Sequence, residues 1–431
     1  MWESLDILDY KTTEEIADYQ NIALQKHMKY LVENSTHYKS LFEVYKIDIK
    51  SIKTINDLIN IPTTTKTDLE KDIKSFQCVK DKKIVEYVTT SGTLGSPIAM
   101  ALTKADLDRL KHNEKRSLKM TGITEDDTVQ ITTTLDKLFM AGMAYYMGAV
   151  EVGAAVIRSG IGNPGAQWEN ISRFSPSVVI GVPSFILKLG HYRLRNDFDP
   201  NKSSLKKAIC IGEPVSNADF SPNKLKQKIK NIWNLDLYST YASTEMMTAF
   251  TECKAQKGGH QLPELIITEI LDENGNPVAS GEIGEVTVTP LGVEGMPVLR
   301  YRTGDLARAH TAKCSCGRNT MRLGPVETRK NQMIKYKGTT LFPQSIEEVL
   351  HSFDEIELYI IEILTSSLDT DHVRVYVLDT IGDELIHTLK HRFGETIKVT
   401  PEIVPINKKS LVELLFPKGS RKPKKFIDNR D

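Results

Sequence analysis

Between residues 128 and 211, short apolar runs alternate with stretches of helical spacing, and that rhythm constrains the fold more than any other feature of the chain. Runs at 128–133, 154–157, 178–181 and 207–211 read as strands, and the stretches at 139–148, 168–174 and 184–191 read as helices. Strands joined through helices lie parallel, so the pattern predicts βα units and a parallel-rich sheet covered by helices. Ligands of such sheets sit beyond the carboxyl ends of the strands, on the turns that follow these runs. The most apolar region, 138–157, has the look of a membrane span. Glu151, several glycines and the lack of a continuous apolar length of about 20 residues make it a buried helix and strand instead.

The 431 residues exceed one ordinary core, so a large domain plus a smaller one is expected. Ile16, Tyr19, Ile22, Ala23, Met28, Leu31 and Val32 fall near helical spacing and predict helices packed on the large domain. Thr103 followed by Asp106 reads as a capping-box start for an amphipathic helix over 106–120. After residue 338 the patterns predict a hairpin to 341, helices at 343–351 and 383–392, and strands at 357–364, 373–378 and 398–404, a small α+β domain. The 56 basic and 56 acidic residues cancel, which removes any global pull toward nucleic acid or membrane and favours a small-molecule partner. No signal peptide is expected, since residues 1–6 lack a basic start and an apolar run. Five cysteines, an odd number in a reducing, cytoplasmic setting, read as metal ligands or core residues rather than disulfides. Cys78 and Cys210 are isolated and read as core. Cys253 and His260 on one side and Cys314-Ser-Cys316-Gly317 on the other have the spacing of a structural tetrahedral zinc site, with reduced surface cysteines as the alternative. Four protein ligands leave no open position for catalysis.

The stretch Tyr87-Val-Thr-Thr-Ser-Gly-Thr-Leu-Gly-Ser-Pro97 packs four hydroxyls and two glycines behind a short apolar lead. Glycine lets the backbone approach an anion, while Thr89, Thr90, Ser91 and Thr93 supply donors that suit a triphosphate. It is not a Walker loop, because no Lys-Ser/Thr pair opens a helix after it, and residues 98–102 read as strand. Strand, loop, strand is expected, and a ligand-free hairpin remains open on this stretch alone.

Thr90-Ser-Gly-Thr-Leu-Gly-Ser-Pro97 resembles the phosphate loop of adenylate-forming enzymes. Tyr241-Ala-Ser-Thr-Glu245, Tyr301-Arg-Thr-Gly-Asp305 and the late Lys422 follow in the family's order, and over nearly the whole chain the sequence is most similar to phenylacetate-coenzyme A ligases and related acyl-CoA ligases. The resemblance implies an α/β fold. Its large N-terminal domain, residues 1–328, would have parallel-rich sheets covered by helices, a β-subdomain and a zinc-binding loop; residues 329–431 would form a small mobile α+β domain. It implies that Thr90, Ser91, Gly92, Thr93 and Gly95 hold phosphates and that Gly212, Glu213 and Pro214 border the adenine pocket. Tyr241 would stack on adenine with Ala242 beside it, and Asp305 would accept from both ribose hydroxyls. Thr244 would contact the α-phosphate and Glu245 would bind Mg²⁺, a hard cation that takes oxygen ligands. Arg329 marks the hinge, where Thr328, Asn331 and Gln332 replace the family's glycine and two acids. Lys422 would be the adenylation lysine, in a basic run, 417–425, that in isolation reads as a solvated or nucleic-acid-binding tail.

The implied reaction is AMP-forming ligation of a small carboxylic acid to coenzyme A through an acyl-adenylate, with ATP, AMP, Mg²⁺, coenzyme A and structural Zn²⁺ as ligands. An aryl acid such as phenylacetate, or a short acyl acid, is the expected substrate. Phe139, Met140, Tyr145 and Val182 are pocket-wall expectations, because Asp136-Lys-Leu-Phe-Met-Ala-Gly142 stands where phenylacetate enzymes carry an aromatic, glycine-rich segment. Loading of a carrier-protein thiol or an amine, or a nucleotide-binding protein without turnover, are the alternatives. A homodimer is left open.

Overall fold

The computed structural model describes residues 7–90, 97–332, 334–336, 339–365, 371–417 and 423–430. The described residues form two compact units, one of residues 7–90 and 97–326, the other from Glu327 onward.

In the first unit, helices begin where side chains can take up the free N–H groups of a first turn. Thr12 and Glu15 close a capping box on α1 (Thr13–Asn34), Ser35 caps α2 (Thr36–Val44), and Thr65 with Asp68 caps α3 (Lys66–Lys71). Leu24, Met28, Leu31, Tyr38 and Phe42 carry these helices into a core shared with Phe250, Val286 and Val288. Ile22, placed on the packed face by spacing, points outward and is 57% exposed.

Two antiparallel strands follow, β1 (Ile84–Thr89) and β2 (Ala99–Thr103), in register from Tyr87↔Ala101 to Thr89↔Ala99. They are the expected strand, loop, strand. Thr103 then caps α4 (Lys104–Met120) through the predicted capping box with Asp106. The Asp106 carboxylate also accepts from the N–H groups of Glu294 and Gly295, so the start of α4 is tied to a distant loop.

The alternating region builds β3 (Thr128–Ile131), α5 (Met140–Val152), β4 (Ala155–Arg158), α6 (Pro164–Phe174), β5 (Val178–Gly181), α7 (Pro183–Leu194), β6 (Lys207–Ile211), α8 (Lys224–Ile232) and β7 (Asp236–Ser243). The five strands run parallel in the order β4-β3-β5-β6-β7, reversing direction of progress at β3. The central strands β3, β5 and β6 are buried along nearly their whole length, which is why these runs are so apolar, while the edge strand β4 is half-exposed. Val179, Ala208, Cys210 and Leu237 pack on Trp168, Ile186, Leu189 and Trp233. Val129, Ile131, Ile180 and Ile209 pack on Leu118, Tyr145 and Ala149. Cys210 is fully buried and Cys78 nearly so, as expected of core thiols.

Beyond β7 the chain forms β8 (Thr248–Glu252), β9 (Gly259–His260), β10 (Ile266–Leu271), β11 (Ile283–Pro290), β12 (Tyr301–His310) and β13 (Arg322–Leu323). They extend the sheet with antiparallel pairing in the order β7-β8-β9-β13-β12-β11-β10. This is the expected β-rich extension of a parallel-rich sheet.

The second unit contains β14 (Thr328–Arg329), the hairpin β15 (Ile334–Tyr336) and β16 (Thr339–Leu341), α9 (Pro343–His351), β17 (Tyr359–Thr365), β18 (Asp371–Leu378), α10 (Gly382–Ile397), β19 (Glu402–Ile406), α11 (Lys408–Leu415) and β20 (Phe426–Asn429). Its four-stranded sheet has the order β19-β18-β17-β20, antiparallel only between β17 and β18. Ile346, Ile361, Val375, Leu389 and Phe393 form its core. Among the described residues no helix is long and apolar enough to cross a membrane.

Candidate functional site

Turns at the carboxyl ends of the parallel strands collect the expected polar groups. After β3, Thr132, Thr133 and Thr134 are buried. A Cβ at Gly142, on the first turn of α5, would lie 2.0 Å from the carbonyl oxygen of Thr134, so glycine alone permits this close approach of helix and loop. Lys137 and Leu138 are both left-handed, at φ 57 and 58°, and the Leu138 carbonyl accepts from the Thr89 N–H at 2.9 Å. The loop bearing the expected acid-pocket residues is thereby fastened to the strand that leads into the hydroxyl-rich stretch. Of the expected pocket walls, Met140 and Tyr145 are buried and Val182 is half-buried.

Thr90 is buried, and its hydroxyl accepts from the N–H of Ile98 at 3.0 Å while its own N–H donates to the Ile98 carbonyl. These bonds close the neck of the hydroxyl-rich loop. Ser91, Gly92, Thr93 and Gly95 lie outside the described residues, as does Lys422.

Gly212 follows β6 with φ 75°, a conformation that favours glycine. The Glu213 carboxylate accepts from both the N–H and the hydroxyl of Ser184 at 2.9 and 3.0 Å, on the first turn of α7. That is where a carboxylate best satisfies free N–H groups. Glu213 therefore fixes the turn, and Gly212 and Pro214 are its exposed parts.

At the end of β7 the chain turns through residues 244–247 into β8. The Tyr241 phenol donates to Asp305 at 2.8 Å, and the Tyr301 phenol donates to Glu245 at 3.1 Å. Two carboxylates 60 residues apart in sequence are thus held by crossed bonds between β7 with its turn and β12, strands that are not neighbours in the sheet. Burial and then the Glu245 carboxylate push the Tyr301 phenol well above its ordinary pKa, so it remains a proton donor. Asp305 is buried, Tyr241, Thr244 and Glu245 are half-buried, and Ala242 is exposed. Gly304, left-handed at φ 78°, donates its N–H to Glu285 and sets the bend before Asp305. Arg329 lies in β14, in the second unit. The two tyrosine contacts were not anticipated. Their signal was Tyr301, which stands four residues before Asp305 just as Tyr241 stands four before Glu245.

Cys253, His260, Cys314 and Cys316 bring their ligand atoms within 4.8 Å of one another. The Cys253 and Cys314 sulfurs are 3.7 Å apart, and the Cys316 sulfur is 3.5 Å from Nε2 of His260. A tetrahedral zinc with the usual bond lengths requires about 3.8 Å between sulfurs and about 3.6 Å between sulfur and nitrogen, so the set fits that ion. Gly317, at φ 92° and donating to the Cys314 carbonyl, makes the tight turn that aims both sulfurs. Nδ1 of His260 pairs with the Thr320 hydroxyl at 2.8 Å, which fixes the ring. Burial, then the charges of Arg318 and Arg322, push the His260 pKa down to about 3, keeping the imidazole in its neutral, ligating form. From this cluster a buried ionic chain runs from Arg318 to Asp9, Arg116 and Glu264.

The first unit is thus a parallel-rich α/β sheet in which the turn after β7 carries Glu245 against Tyr301 of β12, and Tyr241 of β7 meets Asp305. A family model described as AMP-binding enzyme matches residues 23–293, and the chain belongs to that family. Phenylacetate-coenzyme A ligase of Thermus thermophilus is 26% identical over 408 residues, covering 89% of this chain and 90% of that one. The enzyme of the same name from Escherichia coli is 26% identical over 423 residues, covering 94% and 93%. A solved structure of 2-hydroxyisobutyryl-CoA ligase with 2-HIB-AMP, in the postadenylation state, matches with a TM-score of 0.84 at 22% identity, over 98% of this chain and 91% of that chain.

Proposed function

We propose that the protein is an AMP-forming acid–coenzyme A ligase that works through an acyl-adenylate. The observation that carries this reading is the crossed pairing of Tyr241 with Asp305 and Tyr301 with Glu245, which presents two oriented carboxylates beside the turn after β7. The similarity to phenylacetate-coenzyme A ligases over most of the chain supports it.

In the first step a substrate carboxylate attacks the α-phosphorus of ATP, and pyrophosphate leaves. No general base is needed, since the attacking group is already anionic. Negative charge builds on the α-phosphate and leaving group, where preorganised donors count most. Thr244 and the loop residues Thr90, Ser91, Gly92, Thr93 and Gly95 supply donors, and Lys422 supplies a cation. Asp305 accepts the ribose hydroxyls, Tyr241 lies against the adenine with Ala242, and Gly212, Glu213 and Pro214 shape its border. Glu245 would hold Mg²⁺, which neutralises phosphate charge when bound. In the second step the coenzyme A thiolate attacks the acyl carbon, forming the thioester and releasing AMP. Residues 329–431, beginning at Arg329, act as a mobile domain between the steps. The cluster of Cys253, His260, Cys314 and Cys316 would hold a structural zinc. The acid is an aryl acid such as phenylacetate or a short acyl acid.

Pyrophosphate release from a panel of carboxylic acids, with and without coenzyme A, tests the reading. The expected result is acid-dependent release with AMP and a thioester as products. No release with any aryl or short acyl acid, or release without thioester formation, would overturn it. Lys422→Ala should abolish adenylation; unchanged adenylation would remove the lysine from its role.

A further inference from the structure

The turn that carries Glu245 is held from below by a side chain that no motif contains. Arg109 lies on α4, is 1% exposed, and is among the largest fully buried side chains of the described residues. Among the described residues its guanidinium hydrogen-bonds to backbone carbonyls and a hydroxyl. Nη1 donates to the Met247 carbonyl, Nη2 to the Thr248 hydroxyl at 2.9 Å and to the Leu265 carbonyl, and Nε to the Leu291 carbonyl at 2.7 Å. Met247 closes the turn in the left-handed region at φ 47°, a costly conformation for a residue with a Cβ. Its carbonyl is therefore fixed at the point where the backbone is least inclined to stay.

The other two carbonyls extend the reach of the group. Leu265 immediately precedes β10 and Leu291 immediately follows β11. The antiparallel set β10-β11-β12 also carries Tyr301 and Asp305, the crossed partners of the turn. One rigid, planar fork thus joins the Glu245 turn to the strands that hold its partner phenol. Four residues further along α4, the Asn113 side-chain oxygen accepts from the Ala249 N–H at 3.2 Å, so the same helix face grips β8 a second time. Burial pushes the Arg109 pKa down to about 10, which leaves it charged at neutral pH.

We infer that Arg109 is a positioning residue for the metal-binding carboxylate: by fixing the Met247 carbonyl and the Thr248 hydroxyl against β10 and β11, it sets where Glu245 presents its oxygens. The inference rests on the reading of Glu245 as the Mg²⁺ ligand. It reaches further in assigning the accuracy of that ligand to a buried cation on a different helix.

The test measures the Mg²⁺ dependence of acid-dependent pyrophosphate release for the wild type, Arg109→Lys, Thr248→Val, Glu245→Gln and the double variant Arg109→Lys/Glu245→Gln, with thermal midpoints for each. Lysine keeps the charge but cannot span three segments. Arg109→Lys should raise the Mg²⁺ concentration for half-maximal rate about tenfold, as loss of an orienting partner typically does. The acid KM should stay unchanged. Thr248→Val, which removes one acceptor and keeps the shape, should shift it in the same direction by less. In the Glu245→Gln background Arg109→Lys should add nothing to the shift. If Arg109→Lys merely lowers the maximal rate in proportion to the folded fraction, with the Mg²⁺ curve in place, the positioning role is refuted. Should Arg109→Lys fail to fold, an unmoved Mg²⁺ curve in Thr248→Val refutes it equally. If Glu245→Gln itself leaves the Mg²⁺ curve in place, the underlying reading of Glu245 fails, whatever the other variants do.

Discussion

Glu114 shows how strictly single side chains are treated in this fold. It is buried on α4, one oxygen accepting from the Asn113 amide and the other without a partner among the described residues. Burial pushes its pKa up to about 8 from 4.5. The folded protein therefore holds this proton more tightly than the unfolded chain does. Its contribution to stability is complete below about pH 4.5 and is lost as pH rises toward about 8, at a total cost on the order of 5 kcal/mol. Urea midpoints should fall between about pH 5 and about pH 8 in the wild type, and Glu114→Gln should flatten that fall. A wild-type midpoint that stays level across the same range would contradict the assignment. The phenols behave differently, since each donates to a carboxylate with a proposed ligand role. Tyr301→Phe leaves Glu245 without its partner and should slow pyrophosphate release about tenfold with little change in thermal midpoint. Tyr241→Phe releases Asp305 and should raise the KM for ATP more than it lowers kcat, because ribose binding is lost in ground and transition state alike.

Among elements, the βα alternation from β3 to β6 was readable because strands buried on both faces are apolar and their covering helices keep a 3.6-residue period, whereas β7, with Asp236, Ser239 and Thr240 in it, carried no such run. The capping box of Thr103 and Asp106 was readable for the same local reason. The end of the chain was not. The run of lysines at 422–425 suggested a solvated tail, and its charge concealed α11 and the four-residue strand β20 that flank it. Strand β19 begins at Glu402, whereas the pattern had placed a strand from 398, because Lys398 adopts φ 64° and ends α10 in a left-handed turn. At the site, the motifs name Glu245 and Asp305, while the tyrosine bonds that hold them depend on β7 with its turn meeting β12 across the sheet, which no local pattern encodes. The zinc-type cluster joins the loop after β8 to the loop after β12 and should behave as one element. Cys314→Ser should abolish metal content, measured by elemental analysis, and lower the thermal midpoint by roughly 5 °C or more. A metal-free wild type of equal stability would leave the four residues as packed thiols and imidazole.

At the scale of the whole molecule each unit has buried clusters of its own, the first through its long sheet and the second around Ile361, Val375 and Phe393. Separate cores unfold as separate cooperative units. Calorimetry should show two transitions, and Phe393→Ala, which empties a fully buried ring site, should lower only one of them by about 3–5 kcal/mol of stability. Cys314→Ser should lower only the other. A single transition shifted by both variants would show that the cores melt together.

β20 runs parallel beside β17, with Ile361↔Phe426 to Leu364↔Asn429 in register, and the Lys424 N–H donates to the Leu415 carbonyl at the end of α11. The described residues on either side of the basic stretch are thus tied into the small domain. Trimming the protein back past Phe426 would strip the edge strand from the small sheet and bare the flank of β17, so a truncated enzyme that lost activity would report on a broken scaffold and leave the chemistry of its lysines unexamined.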